Sequence, residues 1–254
     1  MCLLLLAYRT HPGYPLIVAA NRDEFHERET APAAWWEDRP ILAGRDLEAG
    51  GTWLGVSRTG RFAALTNYRD PSVTEPGACS RGELPLLALE DGSVDRHIAA
   101  VDRGGDRYNG FNLLLGDPGR LACVSNRGPL HQDLPPGMHA LSNDVLNTPW
   151  PKAQRGLDRL ATYLRAHSAP DAGDLADLMH DRVRPADADL PDTGVGLEWE
   201  RLLAPMFIVS RRYGTRSTSI VLFRDDGAVQ FLERRYDREG RPSGETADRF
   251  VAAM

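Results

Sequence analysis

The chemically richest residue in this 254-residue chain is Cys2, directly after the initiator methionine. Removal of Met1 is expected to leave a free α-amine on the residue that carries the thiol. A thiol with its own amine as general base is a complete nucleophile and base pair, and it needs no histidine from elsewhere. Unperturbed, the amine titrates at about 8 and the thiol at about 8.5, so modest tuning brings both into range at neutral pH. Cysteine is also a small hydrophobe suited to a strand edge, and MCLLLLAY reads equally as a plain first strand.

Four polar clusters fall where strands should end. Asn21-Arg22-Asp23-Glu24 follows PLIVAA, Asn67-Tyr68-Arg69-Asp70 follows FAAL, Ser142-Asn143-Asp144 follows HAL, and Tyr213-Gly214-Thr215-Arg216 precedes STSIVLF. Singly, each reads as a solvated strand end, a turn or a cap. Together they supply amide donors, a carboxylate and an arginine beside one thiol. An acyl-transfer site needs donors aimed at an oxyanion and a group that orients the nucleophile.

The elements that must position these residues are strand-rich at both ends of the chain. Apolar runs at 3–8 and 15–20 flank His11-Pro12-Gly13 as an opening hairpin, and TWLGVS and FAALTN form a second around Thr59-Gly60. Ser80 with Glu83 predicts a capping box ahead of a helix through Leu89, and another helix covers Val94 to Val101. FNLLLGD and LACVSN make a third hairpin, followed by HALSN. Helical periodicity spans Trp150 to His167, with Leu157, Leu160, Ala161 and Leu164 on one face, and continues at 174–182; 184–194 reads as an exposed loop. MFIVS, STSIVLF and AVQFLERRY close the chain as strands. Strands and helices in blocks joined by hairpins imply an α+β fold with antiparallel sheets.

Charge is balanced, 30 Lys and Arg against 36 Asp and Glu, net −6, with the signs interspersed. That argues against a nucleic-acid partner. The start lacks a basic region before a short apolar run, so neither a signal peptide nor an integral membrane segment is expected. Cys2, Cys79 and Cys123 form no CxxC pair and no zinc spacing, which fits a cytoplasmic protein without a disulfide framework, metal site or required cofactor.

The blocks MCLLLLAY, LIVAANRDEF, GGTWLGVSRTGRFAALTNYRD, ALSNDVLNTPWPK and YGTRSTSIVLF, in that order, resemble the NRDE family, whose eukaryotic members are the transport and Golgi organisation proteins. The likeness runs from residue 1 to about residue 223. It implies a single domain over 1–254 with the N-terminal nucleophile hydrolase fold, a four-layer αββα sandwich. More distantly, the chain is similar to the choloylglycine hydrolase and penicillin V acylase group, which cleaves amides with an N-terminal cysteine. That resemblance implies Cys2 as nucleophile, Asp23 orienting its amine, Asn67 and Asn143 as donors near the oxyanion, and Arg216 supporting the nucleophile. The arginine this group places shortly before its aspartate has no match at Ala20, and Arg22 is its substitute. Substrate-loop sequences do not match, so bile-salt or penicillin specificity is not inherited.

The expectation is therefore an N-terminal cysteine hydrolase acting on a linear amide or related acyl substrate through a Cys2 thioester, with Asn21, Arg22, Trp53 and Tyr68 as substrate contacts. The alternative is a non-catalytic haem or acyl-CoA/lipid binding and trafficking protein on the same scaffold, since the eukaryotic relatives are associated with haem mobilisation and with lipid or acyl-CoA metabolism. Cys2 and His26 are candidate haem ligands without a CxxCH motif, and Trp35, Trp36, Trp53 and Trp150 could line an apolar cleft.

Overall fold

The computed structural model describes residues 2–73, 75, 77–90 and 92–253. The expectation that Met1 is removed concerns a residue outside that set. In chain order the elements are β1 (Cys2–His11), β2 (Tyr14–Phe25), β3 (Thr30–Trp35), β4 (Ile41–Asp46), β5 (Leu54–Ser57) and β6 (Phe62–Asn67), then α1 (Glu83–Leu89) and α2 (Val94–Gly104). Next come β7 (Phe111–Asp117), β8 (Arg120–Ser125), β9 (His131–Asp133) and β10 (Gly137–Leu141), and then α3 (Pro151–Ala166), α4 (Ala172–Met179) and α5 (Leu197–Leu203). β11 (Tyr213–Phe223), β12 (Ala228–Tyr236) and β13 (Pro242–Val251) complete the chain.

The strands form two antiparallel sheets, one ordered β10-β1-β2-β11-β12-β13 and the other β3-β4-β5-β6-β7-β8-β9. Leu4, Leu6 and Val18 of the first sheet meet Leu54, Phe62 and Leu114 of the second in a core between them. The opposite face of the first sheet, Leu3, Leu5 and Ile17, packs under Leu160 of α3 and Leu175 of α4. Likewise Leu113 and Leu115 of the second sheet pack under Leu89 of α1 and Ile98 of α2. The result is the α+β sandwich in four layers, helices, sheet, sheet, helices. Strands covered on both faces bury every side chain, which is why β1 reads as CLLLLA and not as an alternation.

Several boundaries differ from the sequence expectation. MFIVS is not a strand: Met206, Phe207 and Ile208 are buried, but their backbone is held by other partners. Phe207 N–H donates to the Asp181 carbonyl, Ile208 N–H to the Thr215 hydroxyl at 2.9 Å, and the Met206 carbonyl accepts from Asn21. Ser80 does not cap α1; Gly82 occupies that position without a side-chain cap bond, and Glu83 accepts from the Tyr108 hydroxyl instead of closing a capping box. On α3 the buried seam is Lys152, Ala153, Gly156, Leu160 and Leu164, which keeps Leu160 and Leu164 of the expected face and leaves Leu157 and Ala161 half-buried at its edge. β3, β4, β9, β13 and α5 carry weak apolar patterns and emerge only in the fold. Among the described residues no helix is long and apolar enough to cross a membrane.

Candidate active site

At one pole of the sandwich the register sets Cys2 directly across from Arg22, and β11 continues the row with Ser217 against Arg22, while Thr215 lies against Asp23. Residues opposite one another on antiparallel strands project to the same face. Cys2 and Arg22 therefore share the face that looks toward the second sheet, as Leu4 and Ala20 do one pair further in. A cavity of about 140 Å³ opens there, lined by Cys2, Arg22, Asp23 and Glu24 from the first sheet and by Asp46, Trp53 and Asn67 from the second. Arg28, between β2 and β3, and Arg81, just before α1, complete its charged wall.

Two glycines shape this cavity. A Cβ on Gly44 would stand 2.3 Å from the Trp53 ring, so only glycine lets that ring lie beneath Arg22, whose guanidinium carbon is 4.3 Å from its centroid. A Cβ on Gly51 would stand 2.4 Å from the Gly82 carbonyl, so this glycine lets two loops close the rim, with Thr52 N–H donating to that carbonyl at 2.9 Å.

Burial pushes the Cys2 thiol above its ordinary value; the Asp23 carboxylate adds to the rise and the Arg22 guanidinium opposes it. The thiol therefore stays protonated near neutrality and needs a base to become a nucleophile. Burial also tends to raise the Asp46 carboxyl, but the 2.6 Å hydrogen bond from Arg28, the Ala49 N–H and the charges of Arg28 and Arg22 together outweigh it and leave the group below its usual range.

Asn21 and Asp23 alternate onto the opposite side of β2. Asn21 is fully engaged: its amide donates to the carbonyls of Met179 and Met206 at 3.0 and 2.8 Å, and its oxygen accepts from Thr218 at 2.6 Å. Asp23 accepts from the Thr215 hydroxyl at 2.6 Å, and burial raises its carboxyl while Lys152 draws it down. Lys152 projects from the first turn of α3, buried, and donates to the Leu203 carbonyl at 3.1 Å. Burial, followed by the charge of Arg69, lowers its pKa to about 8, against the pull of Asp23. Arg69 and Glu200 pair at 2.8 Å with both side chains buried. A buried cluster of alternating charge thus backs the strand whose front faces the thiol.

Residues 1–238 match the family described as Transport and Golgi organisation 2. The chain is 35% identical to the mouse "Transport and Golgi organization 2 homolog" and 36% identical to the human "Transport and Golgi organization protein 2 homolog", over 92% of this chain and 92% of each relative. The chain belongs to the Transport and Golgi organisation 2 family. Its fold resembles a mutant conjugated bile acid hydrolase from Clostridium perfringens with a TM-score of 0.52 at 11% identity, over 99% of this chain and 92% of that one. At that identity the likeness shows the fold, which is the N-terminal nucleophile hydrolase fold.

In this Transport and Golgi organisation 2 family member the cavity gathers Cys2, Arg22, Asp23, Trp53 and Asn67. Asn21, Tyr68, Asn143 and Arg216 are not among its lining residues. Asn143 stands one shell back: its amide donates to the Asn67 carbonyl at 2.8 Å, its own carbonyl accepts from Arg69 N–H at 2.7 Å, and the neighbouring Ser142 hydroxyl donates to the Cys2 carbonyl at 3.0 Å. Tyr68 packs against Gly110 beside Asp144. Arg216 occupies a register break in β11, which turns its side chain to the carbonyls of Phe25 and Arg28 at 2.9 and 3.1 Å. It braces the chain leaving β2 and does not touch the cysteine. Sequence reasoning named Glu24 only as a member of its polar cluster and missed Arg28, Asp46, Arg81 and Lys152. A readable signal existed for Lys152, a charge on the seam that Gly156, Leu160 and Leu164 bury.

Proposed function

We propose that this protein is an N-terminal cysteine amidohydrolase, activated by removal of Met1 and acting on a linear amide or related acyl compound. The Cys2 amine takes the thiol proton, and the sulfur attacks the carbonyl carbon, forming a C–S bond and an oxyanion. The half-buried Asn67 side chain, for which no protein hydrogen-bond partner is found among the described residues, donates to that oxyanion. Collapse breaks the C–N bond, and the ammonium proton passes to the leaving amine. Water then attacks the thioester, the amine takes its proton, the C–S bond breaks and the thiol is restored. Asp23 holds the Cys2 amine. Asn143 serves as a positioning residue, since its amide is already engaged by the Asn67 backbone.

The observation that supports this function is the convergence of Cys2, Asp23 and Asn67, from three strands of two sheets, on one cavity. The test is a panel of chromogenic acyl amides and thioesters with hydroxylamine as a trap. Amine release with a hydroxamate product, lost in Cys2→Ala with the circular dichroism unchanged, is the expected result. No acyl transfer from any member by a processed protein, together with co-purified haem or acyl-CoA, would replace the hydrolase with the carrier.

A further inference from the structure

Arg22 carries a charge that the protein leaves incompletely matched. Its side chain is only 6% exposed, and Nη1, out of contact with solvent, has no hydrogen-bond partner among the described residues. Buried donors of this kind are almost always paired, and a buried cationic one costs most when it is not. The guanidinium rests on the Trp53 ring, and its Nη2 lies 3.7 Å from Asp46. The carboxylates around it are engaged elsewhere. Asp46 accepts from Arg28 Nε and from the backbone N–H groups of Glu48 and Ala49, Glu24 accepts from Phe25 N–H, and Glu233 accepts from Ala33 N–H at 2.8 Å. The remaining arginine near the thiol, Arg81, commits one of its own donors to the Gly110 carbonyl at 3.0 Å.

The geometry points to an anion subsite: we infer that the Cys2 cavity takes a substrate bearing a single carboxylate within two or three bonds of the carbon that meets the sulfur, held by the Arg22 guanidinium, whose Nη1 reaches it through a small side-chain shift on binding. Cys2 and Arg22 are direct cross-strand partners on one face, so a group bonded to Sγ lies beside the guanidinium. The cavity of about 140 Å³ has room for about four or five water-sized groups, enough for a carboxylate and the carbon that carries it. Three arginines and three carboxylates already line that space, which favours a monoanion over a multiply charged phosphate.

This inference rests on Cys2 being the group that meets the substrate, and its test does not require turnover. Iodoacetate and iodoacetamide are matched in size, and each alkylates a thiol by forming S–C and expelling iodide. The rate ratio at Cys2, mapped by peptide mass against glutathione under the same conditions, isolates the charge. The expected ratio favours iodoacetate by about tenfold over that of glutathione, a charge-assisted hydrogen bond's worth of preference, and Arg22→Gln returns it to the glutathione value. In case that variant folds poorly, propionate at constant ionic strength should protect wild-type Cys2 from iodoacetamide, where propionamide does not. A wild-type ratio equal to that of glutathione, a ratio that Arg22→Gln leaves unchanged, or equal protection by both competitors would overturn the subsite. Carboxylate preference without any acyl-enzyme would refute the hydrolase and keep the subsite, and acylation without the preference would do the reverse.

Discussion

The two sides of the same four residues on β2 do different work. Arg22 and Glu24 face the space between the sheets, where the cavity reaches Cys2 and Arg22 Nη1 has no hydrogen-bond partner among the described residues. Asn21 and Asp23 face the helices, where Asn21 ties the end of α4 and the 206 segment to the sheet, and Asp23 meets Thr215 and the charge of Lys152. Strand periodicity of two turns Asn21 to bracing and Arg22 and Glu24 to the cavity, while Asp23, held from behind by Thr215, also reaches the cavity lining. Stability should therefore respond most to changes behind the strand, and chemistry to changes in front of it.

The most drastic break is Cys2→Ala, which should remove all acyl-enzyme while leaving the thermal midpoint within a few degrees of wild type. Unfolding would mean that Cys2 serves packing alone. Behind the strand, Glu200→Ala leaves Arg69 buried without its 2.8 Å partner and should cost about 3–5 kcal/mol in urea denaturation, the usual consequence of breaking a buried pair. A loss below about 1 kcal/mol would show that water reaches this cluster.

Lys152→Met sharpens the contrast through pH. The folded value of about 8 lies below the ordinary lysine value, so the unfolded chain binds the extra proton between the two and wild-type stability gains from this group as pH rises. The stability of wild type relative to the variant should climb by about 3 kcal/mol between about pH 8 and 10.5, and be flat below that window. A flat difference throughout would place the lysine in contact with water. In front of the strand, Asn67→Ala should lower turnover roughly a hundredfold with little change in stability. Smallest of all, Arg201→Ala breaks the exposed pairs to Asp187 and Glu198 and should leave the urea midpoint indistinguishable from that of wild type.

Much of this was legible in the residues. The opening hairpin and the hairpins at 54–67, 111–125 and 213–236 follow from apolar runs broken by turn residues, and the ordered motifs placed Cys2, Asp23 and Asn67 at strand ends. What escaped depends on contacts distant in sequence. Arg28 and Asp46 sit on a weakly patterned stretch whose strands exist only because the second sheet pairs them, and Arg81 reaches the cavity through the contact between Gly51 and Gly82. The role expected for Arg216 depended on its direction, which a register break in β11 reversed and no local pattern announces. MFIVS looked like a strand because burial alone makes a run apolar; its backbone partners include a hydroxyl, a side-chain amide, a loop carbonyl and the single backbone N–H of Thr215.

The central claim is that Cys2 is an N-terminal nucleophile facing the cavity, and intact-mass analysis of the purified protein before and after a short exposure to an activated acyl amide tests it most directly. The account predicts loss of Met1 and a single acyl mass on the peptide that begins at Cys2, decaying as substrate is exhausted. Retained Met1, or an adduct that maps to Cys79 while Cys2 stays unmodified, would contradict it.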